Sequence, residues 1–260
     1  MRLHFSAKRF WKVLKREEFM RWRSLALSAL TIGGVSALLT VLNSLQGDSG
    51  DGMRGLYAAF LFVGGFIVAS GAFRAMHTKE SVHDWLMLPA SAEEKFLSRL
   101  LVSSIGYWLF LTLIFSLSVP IGQALSLLIA GRGGTLFNPL DPGVLRLLPH
   151  YLILQSLFIA GGAFFGRHQF LKTVLTLSLF GIVLGFFAAF ALRLIFGDFF
   201  QNGFNFSFSG EFGDPAFPGT QKAGMFLIRV LKTLYFALVA PFFWLAAYLR
   251  VREAEVRHAL

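Results

Sequence analysis

The chain has no cysteine, which excludes disulfides, thiolate metal sites and cysteine nucleophiles. Charge is scarce as well: 15% of the 260 residues are charged, against about 25% in a typical soluble domain. With 55% hydrophobic residues and a mean hydropathy of +0.64, a chain of this length cannot bury its apolar surface in a globule, so a water-soluble fold is excluded. Tyrosine is rare beside phenylalanine, 5 against 31, as suits aromatic side chains that fill and face hydrocarbon. Several catalytic signatures are missing from the sequence: no GxxxxGK[ST], HExxH or GxSxG occurs. The six histidines (His4, His77, His83, His150, His168, His258) have no close metal-ligand spacing. The expectation is a non-enzyme without cofactor or metal.

What is present is a set of long apolar runs, at about 25–42, 55–73, 100–130, 149–165, 173–196 and 225–249. Each approaches or exceeds the roughly 17 to 25 residues that cross a hydrocarbon core as a helix, so the fold class expected is all-α, a polytopic membrane protein with six spans. His150 and Gln155 dilute the fourth run. The third is overlong, and Pro120 and Gly122 either kink it or divide a span from a shallow outer helix.

The net charge of +10 does not imply a nucleic-acid partner, because the basic residues lie between the apolar runs. With the N-terminus inside, seventeen Lys and Arg fall in inner segments and five in outer ones. This bias places both termini in the cytoplasm. The domain plan is then an amphipathic segment 1–24, a transmembrane domain 25–249 with an inner link 74–99 and an outer link 197–224, and a cytoplasmic tail 250–260. No cleavable signal peptide is expected, since the first apolar run is too long for one.

Two non-spanning segments stand out. On a helical wheel of residues 3–23, Leu3, Phe10, Trp11, Leu14 and Trp22 share one sector, while Lys8, Arg9, Lys12, Lys15, Arg16 and Arg23 lie opposite. This is the pattern of an interfacial helix, with Phe10, Trp11, Leu14 and Trp22 as its membrane-interface residues; a basic tail obeying the charge bias is the plainer reading. The inner link reads RAMHTKESVHDWLMLPASAEEKFLSR from Arg74 to Arg99. In it Ser91 and Glu94 form a capping-box pattern after Pro89, and Val82, Trp85, Leu86 and Leu88 add apolar weight that docks on the membrane, on a partner, or on both. Glycines at 64, 65, 71, 161, 162, 166, 181 and 185 mark candidate close helix contacts. Arg193 is the one ionisable candidate near a span interior, close to an outer end where snorkelling is easy. With no ion relay in the chain, transport would draw its energy from a partner.

The layout resembles the membrane subunit of ABC-2 type transporters: a basic amphipathic helix before span one, six spans with both ends inside, and an inner link before span three. The link is similar to that family's passage in which a short segment ends in LLP(A/V)S and the next helix opens with an acidic and a basic residue. Trp85, Leu86, Leu88, Pro89, Ser91, Glu94, Lys95 and Arg99 carry the match. The resemblance implies a permease subunit of an ATP-driven exporter in the bacterial cytoplasmic (inner) membrane, either a homodimer or one of a permease pair. A separate cytoplasmic ABC ATPase would dock on the eight link residues and on the N-terminal helix. It also implies surface or re-entrant helices within 199–217, although the Gly, Asn and Ser content there argues against helix. It names no substrate. The competing reading is a polytopic scaffold or anchor that transports nothing.

Overall fold

The computed structural model describes residues 6–46, 51–78, 82–83, 85, 87, 90–131, 136–195 and 218–259. Six helices long and apolar enough to cross a membrane are present, at Trp22–Leu45, Gly52–Met76, Ala92–Ile129, Pro142–Phe164, Gln169–Ala191 and Lys232–Ala254. They belong to six rods in chain order. The first, α1, is Ala7–Gln46. The second, α2, joins Asp51–Ala59, a π-helical turn Phe60–Gly64 and Gly65–Ser70. The third, α3, joins Ala92–Leu101, a second π turn Val102–Gly106 and Tyr107–Ala130. After a single turn at Pro142–Leu145 come α4 (Leu147–Phe164), α5 (Gln169–Ile195) and α6 (Pro218–Ala259).

At two places the helices run past the segment bounds expected from the sequence, and at a third they decide between two alternatives. The segment 1–24 is not a separate helix where it is described, because α1 runs unbroken from Ala7 through the first span. Among the described residues the third run is one rod, with Pro120 inside helix. The last helix starts at Pro218, within the expected outer link, and continues to Ala259, so the tail is an extension of the sixth span. α1 has no Gly or Pro between Ala7 and Ile32 to end its ladder before the first span, the third rod carries Pro120 and Gly122 within its helix, and Pro218 is tolerated as the first residue of the last one. The re-entrant helices expected within 199–217 lie outside the described residues.

Rods α1 and α3 are parallel neighbours along most of their length. At the inner end the Ser6 N–H and the Arg9 guanidinium reach Glu94. Midway, Ser36 and Ser118 share a hydroxyl–hydroxyl hydrogen bond of 2.6 Å. Further out, Gly122 lies against Ala37 and Thr40, where a Cβ would come within 2.7 Å of the Ala37 carbonyl, and Ser44 donates to Gln123 at 3.4 Å. Ser36, Thr40 and Ser44 recur every four residues on the face turned to α3, and small hydroxyl residues of this kind let two backbones approach in lipid. At 1.5 Å per residue each rod is about 60 Å long, twice a hydrocarbon core of about 30 Å. Each rod is therefore longer than a hydrocarbon core is thick, and in α1 the residues before Trp22 lie outside the candidate span.

Two packed clusters hold the bundle. The inner one contains Ala69, Phe73, Met76, Trp85, Phe96, Phe158, Ile159, Ala163, Ala247 and Val251, with Phe66 stacked on Phe158 and Phe73 on Phe96. The outer one contains Met53, Tyr57, Leu61, Tyr107, Leu111, Phe115, Val119, Val144 and Tyr151. Gly162 allows α4 to touch the backbone of Ser70 on α2. Beyond these clusters the surface of the spans is apolar: Leu30, Leu113, Leu117, Leu128, Leu179 and Phe186 are all exposed, as lipid-facing positions should be. The fifth span is the extreme case, with none of its most apolar window buried. Gly181 and Gly185 on it have nothing within 4 Å, unlike Gly64, Gly65, Gly161 and Gly162, each of which seats a neighbour.

A candidate functional site at the inner end of the bundle

The start of α3 is fixed by local chemistry that its sequence spells out. Ser91 caps the helix, its hydroxyl accepting from the Glu94 N–H at 3.3 Å while Glu94 Oε2 accepts from the Ser91 N–H at 3.1 Å. The other carboxylate oxygen is used at long range. Glu94 Oε1 accepts from the Ser6 N–H at 2.7 Å and from the Arg9 guanidinium at 3.2 Å. Glu94 is fully buried, a cost that four N–H donations and one cationic partner offset. The negative charge also sits in the first turn, where the helix dipole favours it.

Lys95, the next residue, and Arg99, about one turn further on, flank the Trp85 ring at 5.4 and 4.6 Å from its centroid. Arg99 also donates to the Ala72 carbonyl at the end of α2. Trp85, expected among the partner-docking residues, is 6% exposed and belongs to the inner cluster. Its size and the two cations behind it made the inward position the better one, since a cation over a desolvated indole face is stabilised by the ring quadrupole. Leu86, Leu88 and Pro89 lie outside the described residues. The outward surface of the link is marked instead by Met87, 82% exposed, and by Glu93, which accepts from the Tyr248 hydroxyl of α6 at 3.4 Å.

His77 closes the junction against α4. Its Nε2 lies 3.3 Å from the Gly162 carbonyl, which also accepts from Gln169 at 3.3 Å. Burial holds the His77 pKa below its ordinary value, the Gly162 and Ala163 carbonyls oppose this, and the charge of Arg250 adds to it.

Of the four residues expected at the membrane interface, Trp11 and Trp22 are exposed, at 56% and 57%, with Lys15 and Arg23 respectively over their rings. Phe10 and Leu14 are half-buried and Val13 is buried. Arg9, which the wheel grouped with the exposed cations, instead turns inward to Glu94. The helix is thus rotated so that part of its apolar stripe faces lipid and part faces the bundle.

These contacts tie the N-terminal segment, the end of α2, the link, the start of α3 and the end of α6 into one body. Its ionic groups meet one another and the Trp85 ring: Glu94 with Arg9, and Lys95 and Arg99 with the indole. Above it stand six apolar helices with lipid-facing surfaces. The chain is a polytopic all-α membrane protein. Comparison with protein-family models, with curated proteins and with solved structures gives no match.

Sequence reasoning missed a second polar centre, inside the spans. Tyr107, Tyr151, Gln155, Ser103 and Ser104 are buried and linked: Ser104 donates to Gln155 Oε1 at 3.0 Å, and Gln155 Nε2 donates to the Ser103 hydroxyl at 3.2 Å. The signal was available, since three of the five tyrosines fall in spans two to four and Gln155 dilutes the fourth. Arg193, the charged candidate, is exposed in the last turn of α5.

Proposed function

We propose that the chain is the permease subunit of an ATP-driven ABC-2 type exporter in a bacterial cytoplasmic membrane, powered by a separate ATPase and paired with a second permease copy. The observation that carries this reading is the junction at Glu94. A rod that is continuous from Ala92 to Ala130 begins in a capped, ion-paired turn outside the bilayer, so a push there tilts a membrane helix rather than merely displacing a loop. The inner ends of α1, α3 and α6 form one block around it, which is the kind of body a cytoplasmic motor can move. Both termini are assigned to the cytoplasm on the charge bias. The open fifth span, with Gly181 and Gly185 on its surface, offers a face to a second copy, and Trp22 with Arg23 is assigned to the inner headgroup layer.

In this reading the docking surface is the outward side of the link, Met87 and Glu93, while Trp85, Glu94, Lys95 and Arg99 hold the block together from within. The test is site-specific photocrosslinking from position 87 in membranes that contain the candidate ATPase. An adduct with the ATPase, reduced by Glu93→Lys at unchanged protein level, is the expected result. Adducts with lipid alone would overturn the reading and leave a scaffold or anchor protein.

A further inference from the structure

Spans two and three each contain one π turn, and the two turns are coupled through tyrosines. At the end of the turn in α3, the Tyr107 N–H bonds to the carbonyls of Val102 and Ser104 and passes over that of Ser103. A carbonyl left out of the ladder inside a bilayer has no water to bond to. Here the Tyr151 hydroxyl of α4 donates to it at 2.8 Å. Gln155, one turn along α4, grips the hydroxyls of Ser103 and Ser104 beside it. Tyr107, the first residue after the turn, is aimed back at α2, where its hydroxyl donates to the carbonyl of Phe60 at 2.7 Å, the first residue of the other π turn. Adjacent glycines make room: a side chain on Gly64 would strike the Tyr107 hydroxyl, and one on Gly65 the Tyr151 ring.

The geometry points to a register switch in α3, held in its wide form by the Tyr151 hydroxyl. A π turn is a local insertion of one residue into an α-helix, and such turns recur at functional sites. Withdrawal of the hydroxyl leaves the Ser103 carbonyl unpaired, and α3 recovers the bond by closing Val102–Gly106 to α geometry. Closing the turn rotates one half of α3 against the other by about 100° and shifts it about 1.5 Å, one residue of helix. The inner half carries Glu94 and Arg99; the outer half carries Ser118 and Gly122, which pack on α1. The switch thus couples the inner junction to the outer bundle, and its input is any motion of α4 that lifts Tyr151. Both forms satisfy the α3 backbone, one within the helix and one through Tyr151, which is what a two-state element requires. This inference holds whether or not the chain transports anything.

Because the chain lacks cysteine, thiol reporters can be placed freely in the full-length protein. Ser36→Cys with Ser118→Cys reads the outer half through disulfide yield. Val13→Cys, buried and one turn after Arg9, which pairs with Glu94, reads the inner half through protection from a thiol reagent. Tyr151→Phe should cut the disulfide yield or the protection by tenfold or more. Tyr107→Phe, which leaves the Ser103 carbonyl bonded, should change neither by more than twofold. Deleting Ile105 from the wide turn makes α3 regular with both halves in place, and in that background Tyr151→Phe should be silent. Unchanged reporters in Tyr151→Phe would overturn the switch. So would equal effects of Tyr107→Phe and Tyr151→Phe, which would mark a general loss of packing. Should the deletion fail to fold, the contrast between the two tyrosine substitutions decides alone.

Discussion

Replacing Glu94 by alanine strips one carboxylate of every role the junction gives it. Glu94 is fully buried and accepts from the Ser91 and Ser6 amides and from Arg9. Removing one partner of a fully buried pair costs about 3–5 kcal/mol, because the other charge is stranded. Arg9 is 34% exposed, so water takes over much of its solvation and the loss is smaller, about 2 kcal/mol, close to that of one or two charge-assisted hydrogen bonds. That energy is the clamp between the N-terminal segment and α3, so its loss appears as local opening rather than global unfolding. With Val13→Cys as reporter, about 2 kcal/mol corresponds to roughly 30-fold faster thiol labelling. Glu94→Gln keeps an acceptor for the Ser91 amide but loses the charge; labelling should rise only about fivefold, equivalent to about 1 kcal/mol. Glu93→Ala, one residue away and exposed, should stay within about twofold, as surface substitutions do. If Glu94→Ala accelerates labelling less than threefold, or no more than Glu93→Ala, the carboxylate does not clamp the junction.

Gly162→Ala forces a methyl into the Ser70 backbone and should destabilise the detergent-solubilised protein by about 1–3 kcal/mol, whereas Gly181→Ala, with nothing within 4 Å, should be neutral or stabilising by up to about 1 kcal/mol; equal melting shifts would contradict this packing. His77 binds its proton less tightly folded than unfolded, so stability should be full above the ordinary histidine value of about 6.5, fall as pH drops below it, and stop falling once the lower folded value is passed. His77→Gln, which can still donate to Gly162, should flatten the melting temperature between pH 7.5 and 5.5; an unchanged slope refutes the assignment. Met87→Cys should resist an impermeant thiol reagent in intact cells and react in inverted vesicles, and the opposite pattern would invert the topology.

The six spans were legible because burial in hydrocarbon is a property of composition over some twenty residues, which no tertiary contact has to supply. The start of α3 was legible for a similar reason: Ser91 and Glu94 are three residues apart, and the capping box they form is local. What the sequence could not disclose was the direction in which each side chain of the link would face. Trp85 and Glu94 have the character of an exposed, charge-rimmed docking patch, and only the arrival of Arg9 at Glu94, and of Phe158 and Val251 in the cluster that holds Trp85, turns that patch into an interior. The same holds inside the membrane. Tyr107, Tyr151 and Gln155 are unremarkable apolar-run residues until three helices bring the two tyrosine hydroxyls to the Phe60 and Ser103 carbonyls and Gln155 to the Ser103 and Ser104 hydroxyls. Local hydrogen bonding and hydropathy are written along the chain; the pairing of a buried polar group with its partner is decided only when helices far apart in sequence pack, because only then does desolvation make the unpaired state costly.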